Sequence, residues 1–126
     1  MVKKVLFITS NTGIEHDELI QPRDFLQSKG IEVILAAEKN EDVQTVENDT
    51  KPALRYSPDS TLEQVSVEDY DLLVIPGGTV NADMLRISTD AQRIIQHFTD
   101  HQKPIAAICH APWVLINAER IRDNNL

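Results

Sequence analysis

The only cysteine of the chain, Cys109, closes the apolar run Ile105-Ala106-Ala107-Ile108 and is followed at once by His110. A thiol at the bend between a strand and a helix projects on a tight turn, which needs small residues two places to either side. Ala107 and Ala111 meet that need. The helix expected just beyond it points the positive end of its dipole at the sulfur and favours thiolate over thiol. The main-chain N–H of His110 falls at the same helix start, where it is placed to stabilise an oxyanion. Gly77-Gly78, at the end of another apolar run, can bring a second backbone donor close to a ligand because glycine carries no Cβ. Glu15 lies in the segment Ser10–Glu15 beyond a third such run, and its carboxyl could share a proton with the thiol or hydrogen-bond the thiolate. An isolated cysteine at a strand end otherwise serves as a small buried hydrophobe. The elbow spacing, the following histidine and the Gly-Gly turn favour the nucleophile.

Other candidates are less pointed. His110 is either a general base or a polar residue at a helix start, since adjacency in sequence does not aim its ring at Cys109. His97 and His101 are spaced as a metal-binding pair on one helix face, but no third ligand lies nearby in the sequence, so no metal is expected. His16 reads as a surface residue at a helix start, Glu15 equally as a solvated acid before that helix, and Trp113 as a core or interface aromatic.

The elements that must position these groups alternate. Val5-Leu6-Phe7-Ile8 reads as a strand covered on both faces, followed by a polar loop, Ser10-Asn11-Thr12-Gly13. A helix runs from about His16 to Lys29, with Gly30 at its C′ position; Pro22 should kink it or move its start. Ile31 to Ala37 is a second buried strand. The polar segment from Lys39 to about Glu68 suggests short strands near Val43–Glu47 and Ala53–Tyr56, forming a covering hairpin and connection. Leu72 to Ile75 is a third buried strand, stopped by Pro76-Gly77-Gly78. Thr89 opens a helix with capping-box spacing to Gln92 and an apolar stripe of Ala91, Ile94, Ile95 and Phe98. Ile105 to Ile108 is a fourth strand, and Pro112 to about Ala118 a further helix. This alternation predicts an α/β layered fold with a mainly parallel sheet. Ligands of such sheets sit beyond the carboxyl ends of the strands, so Ser10–Glu15, Pro76–Gly78 and Cys109–His110 should share one rim.

The totals narrow the class. A chain of 126 residues with 41% hydrophobic and 25% charged residues fits one domain, residues 1–126, with a real core. A net charge of −8 argues against nucleic acid and against anionic membrane surfaces. One cysteine cannot form an internal disulfide, which fits a reducing compartment. The short run after Lys3-Lys4 is no signal peptide and no segment is long enough to span a bilayer, so a cytoplasmic location is expected.

Three stretches together resemble a known family: Ile14-Glu15-His16-Asp17-Glu18-Leu19-Ile20-Gln21-Pro22, then Ile75-Pro76-Gly77-Gly78, then Ala107-Ile108-Cys109-His110-Ala111-Pro112. In order and over nearly the whole chain, they are similar to the signature stretches of the PfpI family of intracellular proteases. That family belongs to the class I glutamine-amidotransferase-like superfamily, which also contains the Parkinson-disease-linked deglycase. The resemblance implies a flavodoxin-like three-layer α/β sandwich. It implies Cys109 as nucleophile, Glu15 as the acid at its sulfur, and the backbone amides around Gly77, Gly78 and His110 as the oxyanion site. In hexameric members the histidine after the cysteine meets an acid of a neighbouring subunit, and the matching position here is Asp83. The implied activity is cofactor-independent, stress-related chemistry on small carbonyl compounds or their protein adducts, of glyoxalase or deglycase type. A peptidase or amidase using the same thiolate, a redox-sensing stress or chaperone protein, and an inactive shortened member are the alternatives. A homo-oligomer, dimer or hexamer, is implied as well. Family members usually continue through further strands and a final helix, so the chain is expected to be short at its C-terminus.

Overall fold

A computed structural model describes residues 3–108. Its centre is a five-stranded, wholly parallel sheet in the order β6-β3-β1-β7-β8. The strands are β1 (Lys4–Thr9), β3 (Glu32–Ala37), β6 (Ser60–Thr61), β7 (Leu72–Ile75) and β8 (Ile105–Ala107). Val5 to Ile8 are all fully buried because the sheet is covered on both faces. Leu6 and Ile8 join Leu73 and Ile75 in one cluster, together with Ala82, Leu85, Ile94, Ile95 and Phe98. Those last five residues lie on α2 (Thr79–Arg86) and α3 (Thr89–Asp100). Val5 and Phe7 point the other way, joining Leu19 of α1 (His16–Ser28) with Val33, Leu35 and Val74. The period-two alternation thus becomes a core on each side of one sheet, the flavodoxin-like α/β arrangement.

A second, three-stranded sheet, β2-β4-β5, stands beside the first. It contains β2 (Thr12–Glu15), β4 (Val43–Glu47) and β5 (Lys51–Tyr56). The expected short strands at 43–47 and 53–56 are present, and β4 and β5 form an antiparallel hairpin.

Several local expectations need correction. The polar loop at 10–13 ends early, because Thr12 and Gly13 already belong to β2, which pairs with β4. Pro22 lies inside α1 and does not move its start; it supplies no N–H to the carbonyl four residues back. The helix ends as expected, with Gly30 N–H donating to Gln27 O and Ile31 N–H to Leu26 O, the paired bonds of a Schellman motif. The capping box at Thr89 is replaced by a cap one residue earlier: Ser88 Oγ accepts the Ala91 N–H at 3.2 Å. Gln92 instead turns its side-chain amide to the Arg86 carbonyl. The helix α2 was not foreseen. The expected helix near Pro112–Ala118, and Trp113 with it, lie outside the described residues.

Candidate active site

In strand order the main sheet reverses direction between β1 and β7, since the chain builds outward from β1 to β3 and then returns to β7 on the other side. The crevice beyond such a switch point is where open α/β sheets bind ligands. Here its base is closed by a buried side chain, Asn81 of α2. Asn81 Oδ1 accepts the Ser10 N–H at 2.7 Å and the Ser10 hydroxyl at 2.9 Å, while its Nδ2 donates to Pro76 O at 3.0 Å. One amide therefore ties the end of β1 to the end of β7 and satisfies polar groups that burial would otherwise strand.

Glu15 reaches this rim from β2. It is the N-cap residue of α1, and its main-chain N–H donates to Gly77 O at 3.1 Å. The approach is so close that side chains are excluded from it. A Cβ on Gly78 would run into Gly13 O and would lie 3.1 Å from Glu15 N, and a Cβ on Gly13 would run into the side chain of Val80. Gly78 also holds φ at 112° as the N-cap of α2, a conformation other residues rarely adopt. Glycine at 13 and 78 is therefore what lets the acid-bearing strand touch the Pro-Gly-Gly turn. On the far side of β7, Ile75 pairs with Ala107, and the Ile108 N–H donates to Ile75 O at 3.1 Å.

The described residues thus bring together three of the expected site residues, Glu15, Gly77 and Gly78. Asp83 is not among them. It stands on the exposed side of α2, where its carboxylate faces Arg86 at 3.6 Å. Cys109 and His110, the expected nucleophile and its neighbour, lie outside the described residues, which end at Ile108.

His16 differs from the surface residue that was expected. Its side chain is only 18% exposed, and Nε2 lies 2.7 Å from the Tyr56 hydroxyl at the end of β5. Arg23 lies over the face of the same tyrosine ring, 5.1 Å from its centre. His97 and His101 stack at 4.1 Å between ring centres, with His101 Nδ1 at 2.9 Å from the His97 carbonyl oxygen. Burial, with the charges of His101 and Lys103, holds His97 below the usual histidine value. Among the described residues there is no cluster of three or more metal-ligating side chains, and no helix is long and apolar enough to cross a membrane.

Two site residues escaped the sequence reading, Asn81 and Asp49. Asp49 sits at the tip of the β4–β5 hairpin, its main-chain N–H donating to Glu15 Oε1. Its carboxylate accepts the Thr79 N–H and the Thr79 hydroxyl, each at 3.0 Å. The Asn-Asp pair at positions 48 and 49 signals a tight turn, but nothing in the sequence says which strand that turn reaches.

Comparison with known proteins resolves what this rim belongs to. The profile of the DJ-1/PfpI family matches residues 3–126. The chain belongs to the DJ-1/PfpI family. An uncharacterised relative from Archaeoglobus fulgidus is 37% identical over 123 residues, which is 98% of this chain and 69% of the relative. A Pyrococcus horikoshii relative named as a deglycase is 34% identical over 119 residues, 94% of this chain and 68% of the relative. Another, named deglycase PfpI, from Pyrococcus furiosus, is 32% identical over 115 residues, covering 91% of this chain and 65% of its own length. The chain therefore spans about two thirds of these family members. Among solved structures, DJ-1beta of Drosophila melanogaster superimposes with a TM-score of 0.82 at 31% identity, over 94% of this chain and 61% of that one. The DJ-1/PfpI fold is thereby established for the two-sided parallel sheet described above.

Proposed function

We propose that the protein is a cysteine-dependent enzyme that converts small carbonyl compounds, or their adducts on proteins, in the manner of a glyoxalase or deglycase. The observation that carries this reading is the meeting of Glu15 and Gly77 just beyond the end of β7, with β8 paired alongside β7 and the Ile108 N–H donating to Ile75 O. The next residue in the chain is Cys109. The deglycase names of relatives above 30% identity support the same chemistry.

In this reading the Glu15 carboxyl takes the proton of the Cys109 thiol, and the thiolate adds to an aldehyde carbon. The new C–S bond forms as the carbonyl π bond opens, and the oxygen gathers negative charge. Main-chain N–H groups at Gly78 and His110 would hold that charge. His110 moves protons on the adduct. Net conversion of methylglyoxal and water to lactate is an internal oxidation and reduction, so it needs no outside oxidant and no cofactor. Asp83, turned outward on α2, would serve a second copy of the chain in a homo-oligomer, where it would orient the partner's proton-moving histidine.

The test is lactate formation from methylglyoxal by the wild-type protein and by Cys109→Ala, with the fold checked by circular dichroism. The variant should lose turnover by at least a hundredfold, in line with the removal of a covalent nucleophile. Equal turnover by the two proteins removes the proposal. New amino termini released from peptides, with methylglyoxal untouched, assign the same thiolate to peptide hydrolysis.

A further inference from the structure

We propose that Asp49 is the positioning residue for the Glu15 carboxyl: its main-chain N–H holds one carboxyl oxygen while its own side chain anchors the hairpin tip to the start of α2. The proposal rests on the reading of Glu15 as the acid that serves Cys109.

The hairpin tip is not held by burial. Residues 47–51 are all exposed, and most of β5 is exposed as well. Burial therefore does not choose where the tip lies, and polar bonds must. Asn48 and Asp49 take successive left-handed conformations, φ 54° and 66°, as expected of a tight hairpin turn. That turn aims the Asp49 N–H at Glu15 Oε1.

The side chain of Asp49 then does what α2 cannot do for itself. The N-cap of α2 is Gly78, which has no side chain with which to cap the helix. Asp49 supplies the missing acceptor from another sheet, taking the N–H and the hydroxyl of Thr79, the first residue of the helix. A carboxylate at a helix N-terminus is favoured by both hydrogen bonding and the helix dipole. Because the Glu15 N–H already donates to Gly77 O, the contacts close a ring: Glu15 to Gly77, along the chain to Thr79, across to Asp49 and back to Glu15. A ring of this kind fixes the carboxyl relative to the Gly77-Gly78 turn. A glutamate with three rotatable side-chain bonds and no such partner would lose that orientation at an entropic cost to every catalytic cycle.

The test reads Cys109 directly, through the rate of its alkylation by iodoacetamide at a fixed pH near neutrality, and needs no substrate. Asp49→Gly keeps the main-chain N–H and the left-handed backbone but deletes the anchor. Asp49→Asn keeps an acceptor for the Thr79 N–H and can donate to the Thr79 hydroxyl. The expected result is an alkylation rate about tenfold lower in Asp49→Gly and restored in Asp49→Asn, with no further drop when Asp49→Gly is added to Glu15→Ala. Thr79→Ala, which removes only the hydroxyl contact, should slow alkylation about threefold and covers the case of a poorly folded glycine variant. Hydrogen exchange at the Asp49 amide, followed by NMR, should speed up in Glu15→Ala.

Wild-type alkylation in Asp49→Gly and Thr79→Ala, alongside a slow Glu15→Ala, overturns the positioning role and leaves the acid role of Glu15 intact. Additive losses in Asp49→Gly and Glu15→Ala overturn it too, since Asp49 would then act through something other than Glu15. Unchanged alkylation in Glu15→Ala overturns the reading of Glu15 itself, and the proposal with it.

Discussion

The two sheets of this protein are buried to different degrees. The five-stranded sheet lies between two apolar clusters, and β1 is buried along nearly its whole length. The three-stranded sheet buries Ile14, Val43 and Val46 but presents Leu54 to solvent at 65% exposure, and polar contacts bind its hairpin. Gln44 bonds to the carbonyls of Thr45 and Ala53 and to Arg55, and the Thr45 hydroxyl donates to Leu54 O. The first sheet supplies stability, and its strand ends supply a place. The second sheet brings the acid, Glu15, to that place. Burial is tolerant of small changes in position, whereas a closed set of hydrogen bonds fixes atoms to tenths of an ångström. The Glu15 carboxyl is therefore carried by the less buried of the two regions.

The contact that joins the two regions offers the sharpest way to break this division of labour. In Gly78→Ala the new Cβ would strike the Gly13 carbonyl and crowd the Glu15 nitrogen, and the backbone would hold alanine at an unfavourable positive φ. The obstacle is main chain, so neither partner can rotate away. We expect a loss of about 4 kcal/mol or more in urea unfolding. A wild-type unfolding curve for Gly78→Ala would mean that the second sheet does not need to touch the Pro-Gly-Gly turn.

A matched pair of leucines tests the same contrast within the sheets. Leu73 on β7 is fully buried, and Leu54 on β5 is mostly exposed. Leu73→Ala should cost about 3 kcal/mol, the transfer of its side chain plus the cavity left behind. Leu54→Ala should stay within about 0.5 kcal/mol, as an exposed substitution away from special features does. Equal losses in urea unfolding would show that the small sheet is buried in solution by something beyond these residues.

The same contrast decides what could be read from the sequence. Val5–Ile8, Leu72–Ile75 and the stripe on α3 announce themselves because burial selects residue type at a fixed period. The rim was legible for a related reason: a strand must end where Pro-Gly-Gly stands, and ligands gather beyond strand ends. The strand β2 was missed because Thr12-Gly13 looks like a turn, whereas its glycine combines a positive φ of 76° within the strand with a close approach to Val80. Asn81 and Asp49 were missed because each acts across a long gap in the chain. The Asn81 bond to Ser10 spans 71 residues and the Asp49 bond to Glu15 spans 34. Hydrogen bonds of such separation leave no period in the sequence; a polar residue that satisfies a distant backbone group looks like any other polar residue.

A second aspartate makes the comparison quantitative through pH. Asp71 does for the large sheet what Asp49 does for the small one. Its Oδ2 accepts the N–H groups of Lys3 and Lys4 at 2.9 and 3.0 Å, joining the start of β1 to the start of β7. Those two bonds, aided by the charge of Lys103, hold its carboxyl below the usual aspartate value. A carboxyl depressed in the folded state favours folding wherever it is ionised. Its contribution is therefore fully present near neutral pH and is lost as pH falls from about 3.9, the unfolded value, through the lower folded value. Asp71→Asn removes the charge at every pH. Melting temperatures of wild type and Asp71→Asn should differ most near neutral pH and converge as the pH falls through the lowered folded value. The difference should be small, because the group is solvent-accessible and screened. A gap that widens toward acid would reverse the sign, and the main-chain bonds of Asp71 would then be favouring its protonated form.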